Sequence, residues 1–238
     1  MTETPEGIET DLALQFYSRQ RLLTNLLPLM SQSTSPRVIS ILLAGAEGPL
    51  TITDLECRDN YNLMRATSSA ATMTDLMFEE LANSHPTISF IHVNPGFVGT
   101  HLLDKTLAAV KGVLWLPAQI PRFTILPVYN HLLATSPDVV GERVLFLATS
   151  CRYPPAADHE LKGHVDGLAE RPAGMPFARS TIMKEGRGNG VYRIGSNCEV
   201  CKESEVLEKH REEDVAKVVV DHVKGIWERA LLRGQNGN

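Results

Sequence analysis

The chain has 238 residues, of which 43% are hydrophobic and 21% are charged, and its formal net charge at pH 7 is -5. This composition is typical of a globular protein with one sizeable core, and we expect a single domain over residues 1–238. Because the charge is mildly acidic and no basic stripe is visible, we predict that the chain does not bind nucleic acid.

The sequence also argues against a membrane span. Its most apolar stretch, Leu107 to Leu133, is interrupted by Lys111, Pro117 and Arg122, so it should not cross a bilayer. The chain opens with MTETPEGIET, which is not a secretion signal, and its four cysteines are predicted to be reduced thiols. These features predict a cytoplasmic protein.

The predicted elements alternate between amphipathic helices and short strands that are apolar on both faces. In chain order they are a helix over Asp11–Met30, a strand over Arg37–Leu43, a helix over Met64–Asn83, a strand over Thr87–Val93, a helix over Pro137–Thr149, a strand over Gly190–Ile194 and a helix over Glu212–Leu232. Two-faced apolar strands separated by helices are typical of a parallel sheet that is covered on both sides. We therefore predict an α/β fold with a parallel sheet of few strands flanked by helices.

Several segments resemble, in the same order, the second half of short-chain dehydrogenase/reductase (SDR) enzymes, and in particular a fungal branch of that family. They are RVISILLAGAEGPL from Arg37, HVNPGFVGT at His92–Thr100, PDVVGERVLFLATSCRYPP at Pro137–Pro155 and GVYRI at Gly190–Ile194. The resemblance implies a truncated Rossmann-like sheet of the SDR type. It also implies that the Pro-Gly turn and Thr100 stand where SDR enzymes meet the nicotinamide end of their cofactor.

The nucleotide-binding half of the SDR fold has no counterpart in the sequence. SDR enzymes begin with a strand, a glycine-rich turn and a helix whose N–H groups hold the pyrophosphate. The glycine-rich segments here are Gly45–Gly48 and Gly186–Gly190, and both are interpreted as turns. We therefore expect no cofactor, and NADP only if another polypeptide supplies the missing half.

The catalytic pair of the SDR family is not found either. SDR enzymes use a Tyr and, four residues later, a Lys that lowers the pKa of the Tyr. In one register Thr67 and Ala71 stand at these positions, and in a shifted register Arg65 and Ser69 do. Tyr61 with Arg65 keeps the spacing and a cation, and it remains an alternative pair.

Polar residues that follow the strands form the candidate site. Tyr61 or Glu47 is the predicted proton donor or acceptor, with Arg65 as a third catalytic candidate that polarises a carbonyl. The candidates for substrate binding are Asn94, Thr100, His101, Trp115 and Tyr129. No metal site is predicted, because the ligand set around Cys198-Glu-Val-Cys201 is incomplete.

Two apolar regions of the predicted fold are expected to be covered, one around a small molecule and one by another chain. Residues 102–135 occupy the place of the SDR substrate lid and are rich in apolar side chains, so we expect them to enclose an apolar small molecule. The strand at 37–43 would be a bare edge with two apolar faces, and such an edge pairs or aggregates. We therefore predict a homo-oligomer that covers this edge.

The sequence favours a cofactor-independent SDR-like enzyme of fungal secondary metabolism. Such an enzyme would act as a cyclase, isomerase or lyase on an apolar polyketide or terpenoid intermediate, a substrate class that the resemblance alone implies. One alternative is an NAD(P)-dependent oxidoreductase whose nucleotide-binding half is absent from this chain or supplied by a partner. A second alternative is a non-catalytic binding subunit.

Overall fold

The fold is known from a computed structural model, which describes residues 2–59, 61–99, 120, 123, 134–158, 167–171 and 173–236. The chain divides into two compact units, one formed by Met1–Asn94 with Leu147–Asn238 and the other by Pro95–Phe146. The single domain over 1–238 stays a prediction. The expected lid at 102–135 falls almost wholly outside the described residues.

The first unit is built on a parallel sheet of three strands. These are β1 (Arg37–Ile41), β2 (Ser89–Val93) and β5 (Val191–Ile194), in the order β1-β2-β5. All residues of β2 and β5 are buried, as expected for strands with two apolar faces. The predicted α/β fold with a small parallel sheet flanked by helices is therefore confirmed.

Six α-helices lie among the described residues, and most match the predicted ones. They are α1 (Thr10–Leu12), α2 (Ser18–Met30), α3 (Leu63–Ser84), α4 (Pro137–Thr149), α5 (Glu205–Glu212) and α6 (Val215–Asn236). A π-helical turn over Ala13–Tyr17 joins α1 to α2. None of the helices in the described part of the chain combines the length and apolar character needed to cross a bilayer.

Helix α3 is the centre of the larger hydrophobic core. Asn62 caps its N-terminus, because its side chain accepts a hydrogen bond from the Met64 N–H at 2.8 Å. One stripe of α3 at helical spacing packs against α1, the π-helical turn and α6. The buried residues of this stripe are Ala66, Ala70, Met73 and Met77.

Short elements complete the described chain. The strands β3 (Met183–Lys184) and β4 (Arg187–Gly188) form an antiparallel hairpin, and 3-10 turns lie at Ile52–Asp54 and Ala156–Asp158. In the second unit, Val98 and Thr135 form a parallel bridge. These elements leave the carboxyl ends of β1, β2 and β5 as the place where loops and polar side chains meet.

Candidate functional site

Four charged or titratable side chains meet between α3 and the sheet, and we refer to them as the buried charged cluster. The parallel register places His92 of β2 beside Arg193 of β5. Asp75 comes from the middle of α3, and Glu47 comes from the loop after β1. Buried charges of this kind need partners, because an isolated charge in apolar surroundings is very unfavourable.

The cluster consists of two side-chain contacts. The His92 Nδ1 atom lies 2.7 Å from the Asp75 Oδ1 atom, and both side chains are completely buried. Arg193 Nη1 donates a hydrogen bond of 2.8 Å to Glu47 Oε2, and these side chains are 5% and 2% exposed. Two atoms, His92 Nε2 and Asp75 Oδ2, have no hydrogen-bond partner within the described residues.

The pKa of Glu47 is raised from its ordinary value. Burial is the largest cause, and the negative charge of Asp75 adds to it, while the Arg193 guanidinium and the Gly45 N–H act in the opposite direction. A protonated Glu47 can also donate a hydrogen bond to Asp75, which raises the pKa further. Glu47 is therefore a carboxyl group that keeps its proton to a higher pH than an exposed glutamate does.

The raised pKa of Glu47 predicts a pH dependence of stability. The folded protein holds a proton on Glu47 above the ordinary pKa of 4.5, where the unfolded chain has lost it, so stability falls as pH rises through this window. We expect Glu47→Gln to remove this contribution. Urea unfolding of both proteins at several pH values above 4.5 measures it. The prediction would be contradicted if the free energy of unfolding depended on pH in the same way in both proteins.

The other two catalytic candidates have partners of their own. The Tyr61 hydroxyl donates a hydrogen bond to the Asp11 carboxylate, which raises the pKa of Tyr61 to about 12. Arg65 donates to Asp54 Oδ2 at 2.9 Å. Within the described residues no hydrogen bond joins Tyr61 to Arg65. A catalytic role for either stays a prediction, and the pKa shift of Tyr61 is opposite to the one that proton transfer at neutral pH requires.

The predicted substrate-binding residues are only partly described. The main-chain N–H of Asn94 donates to the Ile194 carbonyl at 2.8 Å, so this residue extends the pairing of β2 with β5. Asn94 lies next to the carboxyl ends of both strands, and its role in substrate binding stays a prediction. Thr100, His101, Trp115 and Tyr129 lie outside the described residues.

Sequence reasoning did not find the buried charged cluster as a unit. Of its four members, only Glu47 is among the candidates predicted from the sequence. One signal was available, because Asp75 and Arg193 each interrupt an otherwise apolar segment, MTDLMF and GVYRI. Polar residues at such positions are buried only with partners, but the strand register that pairs His92 with Arg193 was needed to identify them.

The cysteines give no sign of redox or metal chemistry. None of the four, all of which the structure describes, forms a disulfide bond. Burial raises the pKa of Cys201 to about 11, so its thiol is not activated. Among the described residues, no group of three or more His, Cys, Asp or Glu side chains could hold a metal ion.

The glycines after β1 do not fit a dinucleotide pyrophosphate. Gly45 has a φ of +87°, but its N–H already donates to Glu47 Oε1 at 2.6 Å, where a phosphate would need it. A Cβ on Gly48 would lie 2.5 Å from Ser68 Oγ, so this glycine is explained by close packing on α3. In the Gly186–Gly190 segment, β4 leads into β5 and no helix begins there. Neither glycine-rich segment therefore provides a pyrophosphate-binding turn.

Comparisons with known proteins relate the chain to fungal oxidoreductases. It is 34% identical over 236 residues to oxidoreductase AN1596 of Emericella nidulans, a match that covers 97% of this chain and 65% of that protein. It is 30% identical to the NmrA-like family domain-containing oxidoreductase notO of Aspergillus sp., covering 98% of this chain and 62% of that protein. It is 26% identical to short-chain dehydrogenase/reductase SAT2 of Stachybotrys chartarum, covering 92% and 58%.

The chain thus spans less than two thirds of the length of these relatives, between 58% and 65%. No family model and no solved structure matches the sequence. The similarity extends over nearly all of this chain and supports the resemblance to fungal SDR-like proteins.

Proposed function

From this relationship to fungal oxidoreductases we propose that the chain is the substrate-handling part of an oxidoreductase whose parallel sheet continues past β1. The observation that carries the proposal is the free edge of β1, which pairs only with β2 among the described strands. An uncovered edge with apolar surroundings favours pairing with a further strand. The additional strand would come from a second copy of the chain or from a separate segment.

An apolar groove beside β1 supports this proposal. It has a volume of about 470 Å³ and lies between α2 and β1. Leu22 and Leu26 on its wall are 62% and 41% exposed, and Val38 and Phe78 contribute further apolar surface. Contiguous exposed apolar surface of this kind is typical of interaction sites. A strand and helix laid on it would extend both the sheet and the helical layer.

The proposed substrate is an apolar small molecule of the polyketide or terpenoid class, handled in the cytoplasm. This class rests on the resemblance to fungal SDR-like proteins. Because the described residues do not form a pyrophosphate cradle, the proposed nicotinamide site belongs to the added strands and not to this chain alone.

Nicotinamide binding tests the proposal directly. We expect NADPH and NADH to bind the isolated chain weakly, with a dissociation constant of about 0.1 mM or higher. The reason is that neither glycine-rich segment provides backbone N–H groups for the phosphates. Calorimetry measures this constant, and sedimentation on the same sample gives the native mass. Micromolar binding by a monomer would show that this chain holds the nucleotide by itself, and the completed-sheet proposal would then be wrong.

A second candidate function is favoured by Glu47. Its raised pKa and its contact with Arg193 would suit a cofactor-independent cyclase, isomerase or lyase that moves one proton. Turnover of an apolar substrate without any nicotinamide, lowered about 100-fold or more by Glu47→Gln, would favour this candidate. Turnover that requires NADPH and is little changed by Glu47→Gln would favour the oxidoreductase.

A further inference from the structure

The hydrogen bonds at the end of β1 show which of its main-chain groups face the free edge. The Leu42 N–H, directly after the strand, donates to the Val93 carbonyl of β2 at 2.9 Å. Main-chain groups of successive residues in a strand point alternately to its two sides, so those of Ile41 and Ile39 point away from β2. No other strand among the described residues pairs with β1 there. A strand added at this edge would therefore pair with the main chain of Ile39.

Arg19 of α2 places a positive charge on this free edge. Its Nη1 donates to the Ile41 carbonyl at 2.7 Å, and its Nε donates to the Leu14 carbonyl at 3.1 Å. The Arg19 side chain is exposed, and it forms no ion pair within the described part of the chain. A guanidinium that is bound only by carbonyl groups keeps its charge available for a carboxylate.

Arg37 places a second guanidinium at the start of the same strand. Its Nη1 donates to the Leu147 carbonyl at 2.9 Å. Its Nε and Nη2 atoms are buried and have no hydrogen-bond partner among the residues that the structure describes. Burial lowers the pKa of Arg37, and no carboxylate is among the groups that act against this shift. Because buried donors of a cation are unfavourable without an acceptor, this guanidinium has room for a negatively charged partner.

The segment that forms this surface is basic, although the whole chain is acidic. Residues 12–46 contain three arginines and no lysine, aspartate or glutamate, whereas the formal net charge of the chain is -5. Arg19 and Arg37 line the groove beside β1, and no carboxylate is among its described lining residues. A second copy paired through the same edge by a two-fold axis would bring the arginines of both copies together. Charge complementarity instead favours an acidic partner.

The two faces of β1 call for different side chains on that partner. Val38 lies on the face toward α2, where it packs against the apolar cluster that contains Leu23 and Phe78. Arg37 is the neighbouring residue in the strand, so its side chain lies on the opposite face. A strand beside β1 would thus present apolar side chains toward α2 and acidic side chains on the face of Arg37.

From these contacts we infer that the free edge of β1 binds an acidic strand, with carboxylates for Arg37 and Arg19 and apolar side chains for the groove, and not β1 of a second copy. The inference rests on the proposed function, because it names the chemistry of the strand that would continue the sheet. A carboxylate that binds Arg19 by charge-assisted hydrogen bonds would also release the Ile41 carbonyl for pairing with the added strand.

Two peptide probes test the inference on the full chain. Both have about eight residues, within the usual length of a strand, and alternate valine with threonine. In one peptide a pair of threonines is replaced by glutamate, and in the other the same pair is replaced by lysine. We expect the glutamate peptide to bind at least about tenfold more tightly and to shift the amide NMR signal of Ile39. Added sodium chloride should weaken its binding, because it screens the charge pairs.

Three arginine variants assign the binding to these contacts. Arg19→Gln and Arg37→Gln should each weaken binding of the glutamate peptide about threefold to tenfold. Arg21→Gln is the matched control, because Arg21 also belongs to α2 but lies over the Trp227 ring and outside the groove. This control should leave binding unchanged. Equal weakening by all three variants would mean that net charge, and not these contacts, attracts the peptide, and the inference would be wrong.

The outcomes separate this inference from the proposed function. If both peptides shift the Ile39 signal with equal affinity, a strand does pair with β1, but the acidic partner is wrong. If the Ile39 signal instead moves with the concentration of the chain alone, a second copy occupies the edge and the inference is again wrong. If neither peptide shifts the signal at about 5 mM, the edge does not accept a strand, and the inference and the completed-sheet proposal both fail.

Discussion

Replacement of His92 by leucine is expected to lower the free energy of unfolding by about 3–5 kcal/mol. His92 Nδ1 is the hydrogen-bond partner of Asp75 Oδ1 at 2.7 Å, and both side chains are completely buried between β2 and α3. The variant leaves the Asp75 carboxylate in the same place without this donor. Removal of one partner of a buried pair is costly because the remaining charge is neither hydrated nor compensated. Urea unfolding at pH 7 measures the loss.

A double variant separates this pairing effect from a simple packing defect. Asp75→Leu alone should also be destabilising, since it leaves the buried Nδ1–H group of His92 without an acceptor. The double variant, with leucine at both positions, should lose less free energy than the sum of the two single variants. Additive losses would mean that the two residues do not stabilise each other and that the cost comes from altered packing.

The parallel sheet could be predicted from the sequence because it depends on local pattern. SFIHV is rich in apolar residues and is buried along its whole length, as expected for a strand covered on both faces. RVISI has a similar pattern, but β1 is only partly buried because it lies at the edge of the sheet. Reasoning from local pattern also located α3 to within one residue at each end, although the middle of this helix is buried all round and not along one stripe alone. A strand or helix can therefore be predicted from the sequence when its own residue pattern determines its secondary structure.

Interruptions of the helices were harder to predict. The helix expected over Asp11–Met30 contains a π-helical turn at Ala13–Tyr17. No residue type in this segment indicates such a turn. The helix expected over Glu212–Leu232 corresponds to α6, which begins at Val215 because Asp214 adopts a φ of +53° and separates α6 from α5. A positive φ at a residue other than glycine is stabilised by the surrounding contacts, so it cannot be derived from the residue itself.

For the candidate site, the sequence predicts only which loops lie at the carboxyl ends of the strands. Parallel strands place the loops after their carboxyl ends together, and Glu47 and Asn94 follow from that rule. The pairing of Asp75 with His92 joins residues 17 positions apart in different elements, and that of Arg193 with Glu47 joins residues 146 apart. Such pairs depend on the register between strands and on the rotation of α3, and neither can be derived from a single sequence.

Replacement of Leu22 by glutamate is expected to weaken the assembly of the chain more than 100-fold or to abolish it. Leu22 lies on the apolar groove beside β1 and is 62% exposed in the isolated chain, so the change should have little effect on the fold itself. If a second copy or another segment covers the groove, the carboxylate is buried without a partner, at a cost of several kcal/mol. Sedimentation equilibrium measures the change in association.

Leu232 provides a matched control, because it is also 62% exposed but lies on α6, outside the groove. Leu232→Glu introduces the same charge and should leave the native mass unchanged.

If both variants remain associated, the surface that joins the copies lies elsewhere, and the free edge of β1 is not the site of assembly. If wild-type protein is a stable monomer, a separate segment remains as the occupant, and Leu22→Glu should then prevent that segment from binding while Leu232→Glu does not. Loss of association with both variants would point to net charge, and not to the groove, as the cause.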